Sequence, residues 1–293
     1  MTDDHDPCGG TRMITRRAIL LSLLGAAAAT AAASPVAEAY TFNVTHHTRE
    51  LPGLTRPLRV TQLSDLHYGP FVRARSVRTW VNAAQRTHAD VILITGDFVD
   101  HRLDTTARDL ITELRALHAP LGVYGVWGNH DYEYFGANDS PYRHWTARRL
   151  AFHDALADAG IQMLRNRGAP LRDDVYLAGV DDYRCGAPDL TRALRDAPGS
   201  GATLLMSHNP DFLPLVPEQV QFTFSGHTHG GQIRLPLIGA LSTSSQYGQR
   251  FASGFIQDRT PGFVSRGLGV SHLPLRVNCP PELAVLDLHP LTT

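Results

Sequence analysis

Five short segments of the sequence carry side chains that can bind metal ions. They read Asp65-Leu66-His67, Gly96-Asp97, Gly128-Asn129-His130-Asp131, Ser207-His208 and Gly226-His227-Thr228-His229. Aspartate, asparagine and histidine suit a borderline divalent ion such as Mn, Zn or Fe, whereas a structural zinc site would favour clustered cysteines. The seven candidate ligands exceed the needs of one ion; they are Asp65, His67, Asp97, Asn129, His208, His227 and His229. They suit two ions roughly 3.5 to 4 Å apart that share one carboxylate, an arrangement that hydrolyses phosphate esters.

Each of these segments follows a predicted strand. Short apolar runs predict strands at 58–63, 91–95, 123–127, 175–179, 204–207 and 222–225. Runs with helical spacing of apolar residues predict helices at 75–85, 105–117, 142–159 and 189–196. Ligands of open α/β sheets bind at the carboxyl ends of the strands, so we expect the five segments to converge on one crevice. We expect tight turns at Gly96, Gly128 and Gly226 to point the following side chains inward.

The rest of the chain completes a single α/β domain. Residues 232–270 are rich in Gly, Ser, Pro and aromatic residues, which predicts loops and short strands beside the core. Two closing strands are predicted at 273–275 and 283–288.

The ordered set D-x-H, G-D, G-N-H-D, H and G-H-x-H, from Asp65 to His229, resembles the signature of the calcineurin-like metallophosphoesterase superfamily. The run G-H-T-H-G-G-Q from Gly226 and the run R-V-N-C-P-P-E from Arg276 are similar to the exported bacterial YaeI/YkuE-type phosphodiesterase branch. The resemblance implies a two-sheet α/β/β/α sandwich. It also implies hydrolysis of a phosphate ester by a metal-activated water.

The resemblance also implies a role for each residue of the motifs. Asp65, His67, Asp97 and His229 would hold one divalent ion, and Asp97, Asn129, His208 and His227 would hold the other. Asp97 would bridge the two. His130 would act as a general acid or as a phosphate clamp, with Asp131 orienting its ring.

Composition and charge limit the other functions. A chain of 293 residues with 43% hydrophobic residues can bury a large core. Its net charge is −1 and it contains no lysine, so it has no electrostatic basis for a nucleic-acid partner, and a nuclease is disfavoured. Cys185 and Cys279 are the only cysteines after Cys8, too few for a disulfide-built fold, and nothing in the sequence places them at bridging distance.

The first part of the chain is typical of an export leader. Arg16 and Arg17 precede an apolar, alanine-rich run at 18–33, and Ala37-Glu38-Ala39 offers small residues for cleavage before Tyr40. We therefore predict a twin-arginine signal peptide or membrane anchor at 1–39, a polar connector at 40–57 and the catalytic domain at 58–293. The expected location is periplasmic or otherwise extracytoplasmic. The sequence does not decide whether the leader is cleaved or remains as a membrane anchor.

Several further residues are left with alternatives. His101 and Tyr68 lie near the motifs but receive no role. Tyr132, Tyr134 and Phe135 either cover a substrate or pack in a loop. Arg184 and Arg276 either clamp a phosphate or form ordinary salt bridges. We expect seven other histidines of the body to be surface or packed residues; they are His46, His47, His88, His118, His144, His153 and His289.

The preferred function is hydrolysis of a phosphodiester, lipid-linked or envelope-linked, by an exported enzyme. The resemblance to the branch supports the diester, and no single residue does. A phosphomonoesterase or nucleotidase of the same fold, and a noncatalytic metal-binding protein that interacts with another protein, remain as alternatives.

Overall fold

The computed structural model describes residues 35–103, 106–136 and 145–292. Its first sheet has six strands in the order β1-β14-β2-β3-β4-β5. Their bounds are β1 Asn43–Leu51, β2 Leu58–Leu63, β3 Val91–Ile94, β4 Val123–Gly125, β5 Ile161–Met163 and β14 Glu282–Pro290. β2 to β5 run parallel, and β14 pairs antiparallel with β2.

The second sheet also has six strands, in the order β12-β13-β9-β8-β7-β6. β7, β8, β9 and β13 run parallel, while β6 and β12 close the two edges antiparallel to their neighbours. The bounds are β6 Arg167–Arg172, β7 Val175–Gly179, β8 Ala202–Met206, β9 Phe222–Ser225, β12 Gly254–Gln257 and β13 Pro261–Val264. A small hairpin joins β10 Arg234–Leu235 to β11 Gly239–Ala240.

Helices cover the outer faces of the two sheets. α1 Ala74–Gln85, α2 Arg108–Leu114, α3 Asn129–Phe135 and α4 Trp145–Asp158 pack in one cluster with the outer face of the first sheet. The short α5 Leu190–Ala193 and a 3-10 helix at Pro210–Leu215 pack on the second sheet. The result is the predicted α/β/β/α sandwich.

Alternation along the central strands forms these layers. Val91 and Leu93 of β3 face the core between the sheets, whereas Ile92 and Ile94 face the helices. Because both faces of such strands are buried, their sequences are continuously apolar rather than alternating with polar residues. The short apolar runs of the sequence therefore located the central strands.

The sequence predictions differ from the structure at two places outside the site. Residues 273–275 were predicted as a strand, which is wrong: the amide of Leu275 bonds to the carbonyl of Leu273 at 2.9 Å, and the Leu273 side chain is 58% exposed. Residues 40–57, predicted to be a polar connector, contain β1, which pairs with β14 along its whole length. An edge strand with one exposed face does not need an apolar sequence.

A buried carboxylate joins the loop before β2 to the turn between β6 and β7. Asp174 accepts hydrogen bonds from the backbone and hydroxyl of Thr55 at 2.8 and 2.7 Å, and it pairs with Arg172. Burial alone would raise the pKa of Asp174, but the hydrogen bonds from Arg172 and Thr55 outweigh it and hold that pKa well below its usual range. This carboxylate therefore stabilises the contact between the two sheets in its ionised form.

The leader predicted at 1–39 lies mostly outside the described residues. Within the described ranges, no helix has the length and apolar character that crossing a membrane requires. Cys185 and Cys279 are free thiols in the structure.

Candidate metal centre

The five predicted segments meet at one edge of the two sheets. Asp65 and His67 follow β2, Asp97 follows β3, and Asn129 begins α3 after β4. From the second sheet, His208 follows β8, and His227 and His229 follow β9. All seven side chains are buried, with at most 5% exposure. The structure thus brings together the whole predicted ligand set.

Asp65, His67 and His229 form the first cluster. The Nε2 atoms of His67 and His229 lie 2.9 Å apart, and Nε2 of His229 lies 3.5 Å from Oδ1 of Asp65. These three ligand atoms lie within 4.8 Å of one another. Two ring nitrogens and a carboxylate oxygen this close together form a ligand set that suits one divalent cation.

Asp97, His208 and His227 form the second cluster. Oδ2 of Asp97 lies 3.2 Å from Nε2 of His208, and Nδ1 of His227 lies 3.3 Å from the same nitrogen. Oδ2 of Asp97 is also 3.5 Å from Nε2 of His67, so this carboxylate faces both clusters. Oδ1 of the buried Asn129 has no hydrogen-bond partner within the described part of the chain, as expected for an amide oxygen that binds a metal.

Backbone carbonyls set the tautomers of two histidines in the second cluster. Nδ1 of His208 lies 2.7 Å from the carbonyl of Thr95, and Nε2 of His227 lies 3.2 Å from that of Ser244. Since a carbonyl can only accept, these nitrogens carry the protons. In the neutral rings the lone pairs are therefore on Nε2 of His208 and Nδ1 of His227, the two atoms that face the cluster.

Burial controls the protonation of most ligands. It lowers the pKa of His67 and that of His227 to about 3, so both rings are neutral and ready to bind a cation. Burial also acts on Asp97, but His208 and His130 outweigh it and hold the pKa of Asp97 well below its usual range. Burial is outweighed at His208 too, where Asp97 raises the pKa to about 10. An ion bound at His208 must therefore displace a proton from Nε2.

The ligand loops have an unusual backbone. Five of the seven ligands have a positive φ: Asp65 at 52°, His67 at 46°, Asp97 at 53°, His227 at 72° and His229 at 52°. Side chains other than glycine adopt this left-handed region rarely, and the surrounding structure must impose it.

The glycines of the motifs are required for two reasons, a backbone angle at one position and a close contact at the other two. Gly96 has the expected positive φ of 90°, as required by a tight turn. A Cβ on Gly128 would overlap the Asp97 carboxylate, and one on Gly226 would overlap the hydroxyl of Ser64 and the carboxylate of Asp65. At these two positions, close approach of the backbone to a ligand explains the glycine.

The predicted role of Asp131 requires a correction. Its carboxylate accepts hydrogen bonds from the backbone amides of Gly128 and Val99, at 2.9 and 3.1 Å. It thus caps the start of α3 and ties it to the loop after β3. The atoms beside Nδ1 of His130 are instead Oε2 of Glu133 at 3.2 Å and Nδ1 of His101 at 2.8 Å.

His130 borders a polar cavity of about 250 Å³. His101, Glu133, Arg184 and His272 also line this cavity, beside the ligands Asn129, His227 and His229. Glu133 and His272 were missed by the sequence analysis. The spacing of three residues between His130 and Glu133 on a helix could have found Glu133, whereas His272 lies in a loop without periodicity.

Arg184 and Arg276, each of which was given two alternative roles from the sequence, lie in different surroundings. Arg184 lines the cavity, where a guanidinium can bind phosphate oxygens. Arg276 is fully buried and donates to the carbonyls of Gly269 and Cys279 at 2.7 and 3.1 Å. Both of its predicted alternatives are wrong, because its guanidinium holds the loop behind Asp65 through backbone carbonyls.

The aromatic residues after His130 pack in the core. Tyr132 and Phe135 are buried, and Phe135 lies edge-on to Trp127 with ring centroids 5.3 Å apart. Tyr134 lines a separate, largely apolar cavity of about 500 Å³ together with Ile111 and Phe152. The histidines expected to be surface or packed residues lie outside the two ligand clusters, as far as they are described. His144 falls outside the described residues.

The comparisons with known proteins agree with this centre. The family model for calcineurin-like phosphoesterases matches residues 58–231, a range that contains all seven ligands. The chain therefore belongs to the calcineurin-like phosphoesterase family, and it is a metal-dependent phosphoric ester hydrolase.

Particular relatives have similar length. The uncharacterized metallophosphoesterase YkuE of Bacillus subtilis is 29% identical over 94% of this chain and 98% of its own. UDP-2,3-diacylglucosamine pyrophosphatase LpxG of Chlamydia trachomatis is 27% identical over 78% of this chain and 83% of its own. Among solved structures, a dimetal phosphatase from Danio rerio superposes with a TM-score of 0.43 at 14% identity, over 74% of this chain and 89% of that chain.

Proposed function

We propose that this protein is an exported phosphodiesterase that uses two divalent ions. Asp65, His67, Asp97 and His229 would hold one ion, and Asp97, Asn129, His208 and His227 would hold the other. Two such ions, of Mn, Zn or Fe, supply Lewis-acid activation of a water and neutralise charge on the phosphate oxygens.

The position of Asp97 is the observation that carries the proposal. Its Oδ2 lies 3.5 Å from Nε2 of His67 in the first cluster and 3.2 Å from Nε2 of His208 in the second. A single buried carboxylate that faces two ligand sets can bind both ions and keep them close together. The amide of His130 donates to its Oδ1 at 2.9 Å and so fixes the orientation of the carboxylate.

His130 supplies the proton for the leaving oxygen. Burial disfavours a charge on this ring, but Asp97 and Glu133 outweigh burial and raise the pKa of His130 to about 9. Glu133, at 3.2 Å from Nδ1, favours the protonated ring, which is the form that can act as a general acid. Glu133 takes the place proposed for Asp131, because its carboxylate is the one within 3.2 Å of Nδ1.

Arg184 binds the phosphate group that enters the cavity. It lies in the cavity lining with His130 and the ligand His227. A guanidinium pairs with two phosphate oxygens through parallel hydrogen bonds, which orients the ester. No Ser or Cys nucleophile is required.

An apolar cavity separate from the one at the metal centre offers space for the apolar part of a substrate. Tyr134, adjacent in sequence to the cavity residue Glu133, lines the 500 Å³ cavity with apolar neighbours such as Ile111 and Phe152. The name of the relative LpxG describes a diacylated substrate for that protein. For the present chain, these observations support a lipid-linked or envelope-linked diester, reached after export through the N-terminal segment.

Hydrolysis assays test the proposal directly. The full chain is stripped of metal and then supplied with Mn, Zn, Fe or Mg singly, and turnover of a chromogenic diester, its monoester and a long-chain alkyl analogue of the diester is measured. We expect metal-dependent turnover with the diester above the monoester and the long-chain ester preferred. A preference for the monoester would favour the nucleotidase alternative, and no turnover with any metal would favour the noncatalytic one.

A further inference from the structure

Three side chains on the rim of the cavity converge in a way that the seven ligands do not explain. Nδ1 of His101 lies 2.8 Å from Nδ1 of His130, and Oε2 of Glu133 lies 3.2 Å from the latter and 3.6 Å from the former. These three atoms lie within 4.8 Å of one another.

Protons alone satisfy this arrangement poorly. Nδ1 of His130 can donate a single proton, yet it faces two partners, His101 and Glu133. Asp100, whose Oδ1 lies 3.7 Å from Nδ1 of His101, is paired with Arg102, which donates to it at 2.9 and 2.8 Å. A cation in the middle of the three atoms would satisfy all of them at once.

The spacing matches that of a tetrahedral ion. Metal–ligand bonds of about 2.0 to 2.1 Å at tetrahedral angles place ligand atoms about 3.3 Å apart. The three separations here are 2.8, 3.2 and 3.6 Å. The first ligand cluster has the same form, with 2.9 Å between two ring nitrogens and 3.5 Å from nitrogen to carboxylate.

Solvent can reach this cluster. The exposed fractions of the side chains are 33% for His101, 12% for His130 and 21% for Glu133, and all three line the 250 Å³ cavity. Two imidazoles and one carboxylate with an open fourth position form a ligand set that zinc adopts in proteins.

We propose that His101, His130 and Glu133 form a third divalent-metal site, with zinc as its preferred ion. The site is separate from the two clusters that share Asp97, although it includes His130. An ion there binds more weakly than the buried pair, because three partly exposed ligands hold it instead of four buried ones.

Occupancy of the third site has a consequence that rests on the proposed function. An ion held there lies on the rim of the 250 Å³ cavity and engages the His130 side chain, so it takes up space and a side chain that a phosphate ester in the cavity needs. Zinc in excess of two equivalents therefore inhibits turnover.

Zinc stoichiometry tests the site independently of activity. The full chain is dialysed against increasing zinc, and bound zinc is measured by mass spectrometry for the wild type, His101→Ala and Glu133→Gln. We expect three equivalents for the wild type and two for both variants, or a third dissociation constant raised at least about tenfold. The matched control His153→Ala removes a histidine on α4 whose side chain is 39% exposed, and it should keep three.

Either of two results would overturn the site: saturation of the wild type at two equivalents, or a third equivalent retained with unchanged affinity in both variants. Retention of the first two equivalents shows that each variant is folded. Turnover with and without excess zinc is then compared for each protein, and we expect inhibition in the wild type and its loss in His101→Ala. A third equivalent without inhibition in the wild type would refute the inhibitory role alone.

Discussion

Replacement of His130 by alanine separates proton donation from metal binding. The side chain borders the cavity, whereas its backbone amide donates to Asp97 at 2.9 Å and is unaffected by the substitution. We therefore expect His130→Ala to keep both ions of the centre. Its turnover should fall because no group protonates the leaving oxygen.

The expected size of the loss follows from the surroundings of the ring. General acid catalysis contributes about 10²- to 10⁴-fold, or about 2.7 to 5.4 kcal/mol in the activation free energy. The ring of His130 borders a solvent-accessible cavity of about 250 Å³, so water fills the space that alanine leaves and partly replaces the acid. We therefore expect a loss of about 10²-fold for a poor leaving group, at the lower end of that range.

Leaving-group dependence is the assay that distinguishes the acid role from a clamp. Two diesters are compared that differ only in the leaving alcohol, one an acidic nitrophenol and the other an unactivated phenol. Because the nitrophenolate leaves without protonation, the variant should lose little with the first substrate and about 10²-fold with the second. Metal content is measured on the same samples.

Equal losses with both diesters would refute the acid role and favour the clamp, since a clamp acts on the phosphate whatever the leaving group is. Full turnover with both would exclude either role for His130. A metal content below two equivalents would show that the ring also contributes to the two buried clusters.

Three further substitutions test other parts of the structure. Asp97→Ala should empty both buried clusters and lower turnover with them, and an ion retained in either cluster at unchanged affinity would contradict the shared carboxylate. Gly226→Ala should destabilise the protein by about 1 to 3 kcal/mol and weaken metal binding, because its methyl group overlaps a ligand carboxylate. Gly199→Ala, with open space around its Cβ, is the control and should change neither. Asp174→Asn should reduce the free energy of unfolding by about 2 kcal/mol at pH 7, measured by urea titration, whereas the exposed Asp173→Asn should not. Since the pKa of Asp174 is depressed in the folded state, its contribution is present above the unfolded pKa of about 3.9 and is lost as the pH falls below it.

The central strands and the ligands were predictable from the sequence because the signals are local. The buried run at Val91–Ile94 is apolar throughout, and the metal-capable side chain of Asp97 follows within three residues. The parallel order of the strands then brings their carboxyl ends, and the side chains that follow them, to one edge of the sheet. The order of five motifs along the chain also matched a known family, which assigned the ligands to two ions.

Other features depend on contacts that a sequence does not display. β1 looks polar because one face of this edge strand is exposed, and only its pairing with β14 reveals it. The partner of His130 was assigned to the adjacent Asp131, but the helix directs Asp131 to the backbone of Val99 and brings Glu133 beside the ring. The carbonyls that Arg276 binds come from a loop without periodicity.

At the ligand residues with a left-handed backbone, the requirements of stability and of activity conflict. Each non-glycine residue in that region costs about 1 to 2 kcal/mol, and five of the ligands are held there. Glycine at any of them would relieve the backbone and remove a ligand. A search for heat-resistant variants that selects on folding alone would therefore tend to erase the metal centre, whereas one that screens with metal present would retain it. Engineering of a more stable form should leave these loops unchanged and seek its gains in the helices and outer strands.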